Sequence, residues 1–287
     1  MISRTAPGTP LSGTDGELSE VGCTRAVYND SPPRAEPWKG YRAPLGYLRA
    51  TPWGSSCMGA ERAGEEIRFS SDGAAVAAYL AVPPAGRGAG VLVIQEWWGL
   101  VDHIRDVCDR LAREGFVALA PDLYRGETGA EPDAAGRLMM DLEIPRALRD
   151  LDAATLELLN THAVEGPKIG VAGFCMGGQL ALAAGSRNRR IGAVADFYGV
   201  HPNVTLDFSQ CEAAVLAVFA ENDEFIPSEA VAGLAGELEA AGVRASVRTV
   251  PGAQHAFMND SRPDVYDATA AAEGWDAMLS FFRAELG

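Results

Sequence analysis

The segment with the clearest chemical potential is a short glycine-rich motif that follows an apolar run. Residues 173–177 read Gly-Phe-Cys-Met-Gly, with the apolar run 169–172 before them and the helix-forming run 179–184 after them. The pattern Gly-x-Cys-x-Gly between a strand and a helix is typical of a nucleophile elbow with cysteine in place of serine. Such a turn raises the Cys175 side chain above the sheet, where the following helix N-terminus favours a thiolate and a developing oxyanion. We therefore predict that Cys175 is a nucleophile rather than a small core residue.

A thiol nucleophile requires a base, and the chain offers four histidines: His103, His162, His201 and His255. His255 follows the last predicted strand and precedes the terminal helix, where the loop of such a sheet returns to the nucleophile. His103 opens a helix but precedes Cys175, against the nucleophile, acid, base order of elbow hydrolases. His162 is expected in solvent at a helix end, and His201 at the rim of a pocket. Chain order and position favour His255 as the base.

The acid that orients this histidine is expected in the loop after the predicted strand 215–220. Three acids compete there, Glu221, Asp223 and Glu224, and Glu229 follows in the next predicted helix. An acidic turn of this kind can also simply cap a helix. Asp223 is favoured because it lies past the strand end, in the loop itself.

The elements that must position these residues begin at Glu65, where short apolar runs start to alternate with amphipathic segments. We predict eight strands, at 66–70, 75–82, 91–95, 116–120, 169–172, 191–197, 215–220 and 245–250. The middle runs are continuously apolar, as in a sheet covered on both faces. These features predict a single α/β domain whose mostly parallel sheet is flanked by helices on both faces.

Two helices show a clear apolar stripe. Ile104, Val107, Cys108 and Leu111 follow the spacing of one helix face, so Cys108 is expected in the core. The last helix is predicted to run from about Asp264.

Composition excludes several classes of protein. The net charge of -15 would repel phosphate backbones, so nucleic acid is not an expected partner. The five cysteines are widely spaced and show neither metal-ligand nor disulfide-framework spacing, so no metal is expected. No apolar run approaches the roughly 20 residues of a membrane helix, and the start of the chain lacks the order of a signal peptide. We therefore predict a cytoplasmic protein with no membrane association.

The first 60 residues differ from the rest of the chain. They are rich in glycine, proline, serine and threonine, and no window in them holds a helical or alternating period. We predict a disordered N-terminal extension at 1–60 and a folded domain at 61–287.

The chemical motifs together resemble those of the dienelactone hydrolase family of α/β-hydrolases. The matching segments are Gln95-Glu96-Trp97-Trp98-Gly99, Ala120-Pro121-Asp122-Leu123-Tyr124, Gly173-Phe174-Cys175-Met176-Gly177-Gly178, Asp223 and Gly252-Ala253-Gln254-His255. The resemblance covers about residues 65–287, and the separations of 48 (223 − 175) and 32 (255 − 223) suit the family's Cys, Asp, His order. It implies an α/β-hydrolase fold and hydrolysis of a small ester or lactone through a thioester, without metal or organic cofactor.

The resemblance also implies roles for further residues. In the family, a glutamate at the position of Glu96 contacts the resting thiol, keeps it protonated and swings aside when an anionic substrate binds. The backbone N–H groups of Trp97 and Met176 would form the oxyanion hole. Four aromatic residues are expected either to line an apolar pocket or to belong to the core: Trp98, Tyr124, Tyr198 and Phe257.

One departure concerns the arginines with which family members hold a substrate carboxylate. Four residues past His255 the chain has Asn259, and for the second arginine only Arg125 and Arg137 lie near the expected place. A broad esterase or thioesterase without lactone preference is therefore an alternative, as is a redox-sensing or interaction protein on the same fold. The expected partner is a small-molecule substrate, and the expected state a monomer or small homo-oligomer.

Overall fold

A computed structural model describes residues 63–287. The predicted N-terminal extension, with Cys23 and Cys57, lies outside the described residues. Eight strands of the described part form one sheet: β1 (Glu65–Ser71), β2 (Ala74–Ala81), β3 (Gly88–Ile94), β4 (Val117–Pro121), β5 (Val164–Phe174), β6 (Ile191–Phe197), β7 (Ala214–Asn222) and β8 (Ala245–Gln254). All eight predicted strands are thus present. β5 starts five residues earlier than predicted, because Val164 and Glu165 extend the pairing with β3.

The sheet has the order β1-β2-β4-β3-β5-β6-β7-β8. β1 pairs antiparallel with β2, and β2 antiparallel with β4, whereas every other neighbouring pair is parallel. The prediction of a mostly parallel sheet is therefore confirmed. Parallel strands bring their carboxyl ends to one edge, and in open α/β sheets ligands bind outside that edge.

Helices cover both faces of this sheet. The described helices are α1 (Asp102–Arg113), α2 (Pro132–Asp141), α3 (Ile144–Asn160), α4 (Met176–Arg187), α5 (Ser228–Ala240) and α6 (Ala268–Leu286). Neighbouring residues of β5 show the two faces: Gly170 faces Phe282 of α6, whereas Ile169 lies near Gly90 and Leu158 of α3. None of the helices within 63–287 is both long and apolar enough to cross a bilayer.

The two helix predictions had different outcomes. Cys108 is fully buried on α1, as predicted. The last helix begins at Ala268 rather than near Asp264, because the Asp267 side chain accepts hydrogen bonds from the N–H groups of Thr269 and Ala270 and caps it there.

The end of β5 and the first turn of α4 approach each other closely. A Cβ atom added to Gly173 would collide with the carbonyl oxygen of Gly177, and one added to Gly177 would collide with the Ile94 carbonyl. Both obstacles are backbone atoms, which cannot rotate away. Glycine at these two positions therefore permits the turn between β5 and α4.

A buried carboxyl group lies beside the same turn. Asp196, the sixth residue of β6, is fully buried, and neither carboxyl oxygen has a hydrogen-bond partner of good geometry among the described residues. Its Oδ1 atom lies where a Cβ of Gly178 or Gly199 would stand. Burial raises the pKa of Asp196 to about 8, although the backbone of Gly199 and the charge of His255 favour the ionised form. Asp196 is therefore mostly protonated at neutral pH.

Replacing Gly173 by alanine tests the close approach. We expect Gly173→Ala to lower the free energy of unfolding by about 1–3 kcal/mol, the usual cost of overpacking, in urea denaturation. The matched control is Gly233→Ala on α5, where an added Cβ meets nothing within 4 Å. That control should gain up to ~1 kcal/mol from helix propensity. Equal stability of Gly173→Ala and wild type would contradict the close approach.

Asp196→Asn tests the protonated carboxyl. Between the ordinary pKa of 3.8 and about 8 the native state holds a proton that the unfolded chain has lost. This group therefore lowers the free energy of unfolding as pH rises through that window, by up to ~1.4 kcal/mol per pH unit. Asparagine cannot ionise, so the variant should gain stability relative to wild type from pH 5 to pH 8 in urea titrations. Parallel stability profiles of the two proteins would show that Asp196 is ionised throughout.

Candidate active site

Four of the predicted site residues follow neighbouring parallel strands at the carboxyl edge of the sheet. Cys175, Asp223 and His255 directly follow β5, β7 and β8, and Glu96 stands two residues after β3. The strand register aligns these ends, because Ile94 of β3 pairs with Gly173 of β5. Residues distant in sequence therefore meet above one edge of the sheet.

The histidine and the aspartate form a buried pair. His255 Nδ1 lies 2.8 Å from Asp223 Oδ2, and the Asp223 side chain is fully covered. The other oxygen, Oδ1, accepts hydrogen bonds from the N–H groups of Phe225 (2.9 Å) and Ile226 (3.1 Å). The tight turn after β7 thus fixes the carboxylate against the imidazole.

The other acids of this loop face elsewhere. Glu221 Oε2 accepts a hydrogen bond from the N–H of Gly252 at 2.8 Å, and Glu224 and Glu229 are exposed. Of the competing acids, Asp223 is therefore the one that contacts His255.

Cys175 occupies the turn itself, with a backbone conformation that is rare for a residue with a side chain. Its φ is 53° and its ψ is −123°, which costs about 1–3 kcal/mol. Three backbone hydrogen bonds hold it: its N–H donates to Phe197 O (3.0 Å), and its carbonyl accepts from Gly178 N (2.9 Å) and Val200 N (3.2 Å). The side chain does not stand free above the sheet, since the residue is only 7% exposed.

The imidazole of His255 links the thiol to the carboxylate. Burial opposes its positive charge, but hydrogen bonds to Asp223 and Cys175 and the charges of both groups together raise the pKa of His255 to about 10. Because Nδ1 is bonded to Asp223, the remaining ring nitrogen, Nε2, is the one available for the hydrogen bond with Cys175. Because the charge of Cys175 contributes to this pKa, the value belongs to the imidazolium that faces a thiolate, the pair formed once the thiol proton has moved to His255.

The predicted oxyanion-hole residues stand at the start of α4 and after the end of β3. Met176 is the first residue of α4, so its N–H belongs to the first turn, which has no intrahelical acceptor. Trp97 follows Glu96 after β3, and its ring contacts Trp98 edge to face at 5.1 Å. The Met176 side chain is buried, and its sulfur accepts a hydrogen bond from the Tyr124 hydroxyl at 3.2 Å.

Glu96 is bound by the asparagine that replaces the expected arginine. The residue is 1% exposed, and its Oε2 accepts a hydrogen bond of 2.5 Å from Asn259 Nδ2. Asn259 Oδ1 in turn accepts from the Ser261 N–H (3.1 Å) and hydroxyl (2.5 Å), which fixes the orientation of the amide. Glu96 Oε1 has no hydrogen-bond partner among the described residues. One oxygen of this buried carboxylate is thus held and the other is unsatisfied.

The aromatic predictions separate into two groups. Tyr198 is fully buried with a φ of 44°, and its ring meets the His255 ring edge to face at 5.1 Å. Phe257 packs behind Tyr198 at 5.3 Å and belongs to the core. Trp98 is half-buried, and Tyr124 is buried with a raised pKa because of desolvation. Of the four, Tyr198 therefore contacts the His–Asp pair directly.

The arginine predictions find little support in the geometry. Arg137 is exposed on α2, next to Gly136, whose added Cβ would lie 3.9 Å from the Trp97 ring. Arg125 is engaged with the buried Asp150 at 2.8 Å.

Two residues near the site were not predicted from the sequence. The Phe225 ring is 53% exposed and meets the His255 ring at 4.9 Å. Its place two residues after the acid in a tight turn was a usable signal. Arg262 lies 5.5 Å above the Trp98 ring while pairing with Asp264 at 2.6 Å. No sequence pattern marks that contact.

The remaining histidines have other partners. His103 Nδ1 lies 3.2 Å from Asp260 Oδ1. His201 is buried, with Nε2 3.2 Å from the Met139 carbonyl, and burial lowers its pKa. The sequence predicted His201 at a pocket rim, whereas the structure places it inside the protein. His162 is exposed just after α3, as predicted. Within residues 63–287, no group of three His, Cys, Asp or Glu side chains is arranged to hold a metal ion.

Comparison with known proteins identifies relatives across nearly all of the described residues. "Protein usf" of Aquifex pyrophilus is 38% identical over 228 residues, which cover 77% of this chain and 98% of the relative. A "Putative carboxymethylenebutenolidase" of Aquifex aeolicus is 35% identical over 231 residues, which cover 78% and 99% of the two chains.

A solved structure shows the same architecture. The crystal structure named "Putative Dienelactone Hydrolase" from Klebsiella pneumoniae superposes with a TM-score of 0.69 at 30% identity, covering 77% of this chain and 98% of that one. The sequence profile of the dienelactone hydrolase family matches residues 76–286. With the ordered Cys, Asp and His at the sheet edge, these matches establish that the chain belongs to the dienelactone hydrolase family of α/β-hydrolases.

Proposed function

We propose that this family member hydrolyses a small ester or lactone through a Cys175-His255-Asp223 triad and a covalent thioester. The observation that carries the proposal is the continuous contact from the buried Asp223 carboxylate through His255 to Cys175. A nucleophile, a base and an orienting acid in this order define the chemistry of the triad. A redox sensor would need the thiol but not the buried acid, so the arrangement favours the hydrolase.

The proposed reaction has two stages. The Cys175 proton moves to His255 Nε2, and the thiolate attacks the carbonyl carbon. The N–H groups of Trp97 and Met176 stabilise the resulting oxyanion. His255 returns the proton to the departing alcohol, which leaves a thioester on Cys175. A water molecule then loses a proton to His255 and attacks the thioester, which releases the acid and restores the thiol.

The proposed substrate carries no carboxylate of its own. In members of the family that hydrolyse dienelactone, the position that corresponds to Asn259 holds an arginine, which binds the carboxylate of the substrate. Here Asn259 is neutral, and its amide is already bound to Glu96 and Ser261. An uncharged ester or lactone fits this site better than an anion. A broad esterase is the second candidate, and this same neutral position favours it.

Glu96 is proposed to restrain the thiol. Desolvation raises the pKa of the Tyr198 hydroxyl, and the charges of Glu96 and Cys175 raise it further. Glu96 and Cys175 therefore both lie close to Tyr198. A negative charge close to Cys175 disfavours the thiolate. We further propose that the enzyme works in a reducing cytoplasm, where Cys175 and the other described cysteines, Cys108 and Cys211, stay outside disulfide bonds, as in the structure.

Cys175→Ala is expected to abolish ester hydrolysis, with a loss of kcat/KM of at least about 10³-fold, because the attacking sulfur is gone. The measurement is a panel of p-nitrophenyl esters and enol lactones, with melting temperature as a check of folding. Cys211→Ala is the matched control. Cys211 is a half-buried thiol, and burial raises its pKa, so it is not expected to act as a nucleophile. If Cys211→Ala lost activity and Cys175→Ala kept it, the assignment of the nucleophile would be wrong.

Glu96→Gln tests the proposed restraint on the thiol. The change removes the charge while keeping the shape, so the free enzyme should react faster with iodoacetamide at neutral pH. A tenfold increase in the alkylation rate at a given pH corresponds to a shift of about one pH unit in the curve of rate against pH. Glu239→Gln, at an exposed acid of α5, is the control and should match wild type. An alkylation profile of Glu96→Gln identical to wild type would leave control of the thiol to His255 alone.

A further inference from the structure

A cavity of about 220 Å³ is lined by two residues that contact the triad, Val200 and Phe225. Its walls come from the first turns of α4, the loops after β6 and β7, and α5, and it opens to solvent. Most of its lining side chains are apolar, among them Leu182, Leu206 and Leu234, whereas Gln179 and Glu237 add polar or charged groups. Neither lysine nor arginine lines it. The cavity therefore suits an uncharged apolar group and offers nothing to an anion.

Two lining residues connect the cavity to the reacting groups. The Val200 N–H donates to the Cys175 carbonyl at 3.2 Å, so the wall at Val200 is fixed to the nucleophile's own backbone. Phe225 lines the cavity, and its ring meets the His255 ring at 4.9 Å. Through Phe225 the cavity thus adjoins the site on the side of the imidazole.

That side is where the leaving group must stand. In the proposed mechanism, His255 gives its proton to the departing alcohol oxygen, so this oxygen has to lie within hydrogen-bond reach of the imidazole. The carbon atoms attached to that oxygen then begin beside Phe225. The oxyanion, in contrast, is held by N–H groups of Met176 and Trp97, of which Met176 starts α4 and Trp97 follows β3.

We propose that this cavity is the leaving-group subsite, and that it selects esters whose alcohol carries a short apolar chain or ring. The inference rests on the proposed hydrolase function and adds the side of the substrate that is recognised. Each methylene group transferred into an apolar site gains about 0.8 kcal/mol, which is about fourfold in kcat/KM when the site is fully used. kcat/KM therefore rises with alcohol chain length until the cavity is full.

The test varies the alcohol and the acyl part separately. One arm is methyl, propyl, butyl and hexyl acetate, followed by pH indicator. The other arm is p-nitrophenyl acetate, butyrate and hexanoate. Leu234→Trp fills the cavity and Leu234→Ala enlarges it, while Ala232→Trp adds the same ring to the exposed side of α5, outside the cavity.

We expect Leu234→Trp to remove the preference for butyl over methyl acetate, and Leu234→Ala to move the preference to hexyl acetate. The order within the acyl series, and all ratios in Ala232→Trp, should stay as in wild type. The two Leu234 variants change the cavity volume in opposite directions, so one folded variant is enough to test the subsite. Unchanged alcohol ratios in a folded Leu234 variant, or a change confined to the acyl series, would overturn the subsite.

Failure of the subsite and failure of the function look different in this experiment. If wild type hydrolyses p-nitrophenyl acetate and Cys175→Ala does not, the triad stands whatever the alcohol ratios show. If wild type hydrolyses no ester or lactone, the proposed function is wrong and the subsite falls with it.

Discussion

The contact between the end of β5 and the first turn of α4 is the constraint on which the site depends. Gly173 and Gly177 allow the two backbones to touch, and the turn between them holds Cys175 at a φ of 53°. That conformation is unfavourable in isolation, and the bonds from Gly178 and Val200 to the Cys175 carbonyl maintain it. The result places a sulfur atom, a free helix N-terminus and the histidine loop around one point.

Three buried carboxyl groups surround this point, and each is stabilised differently. Asp223 is bonded to two N–H groups of its own turn and to His255. Glu96 is bonded through one oxygen to the Asn259 amide. Asp196 avoids the cost of a buried charge by remaining protonated at neutral pH. His255 bonds only to Asp223 among these groups. Glu96 therefore depends on the neutral amide of Asn259, and Asp196 on its own proton.

The sequence predicted the parts of this arrangement that local pattern controls. The inner strands are recognisable from continuous apolar runs, and glycine spacing marks the turn at Cys175. The sequence predicts too early a start for α6, because the apolar residue Val265 lies on the same face as the helix that Asp267 caps only two residues later. Of the three acids in the loop after β7, position past the strand end favours Asp223, and the family resemblance indicates the same residue.

Contacts between distant loops were beyond such reasoning. The bond between Glu96 and Asn259 joins residues 163 positions apart, and it depends on how two loops fold over the sheet edge. Asn259 was visible in the sequence only as a missing arginine, with no sign of what it binds instead. The position of Phe225, two residues after the acid, is visible in the sequence, but the exposure of its ring is not.

The packing of α5 also determines how the site responds to thermal fluctuation. Leu238 is the only fully buried side chain of this helix, so detaching α5 exposes little apolar surface. Segments of this kind open locally at a free energy far below that of global unfolding, and their amide hydrogens exchange early. The bonds that hold Asp223 lie within its own turn, before α5 begins, so they do not depend on the packing of that helix. The acid is thus fixed by local backbone contacts, whereas the neighbouring helix contributes little buried surface to the fold.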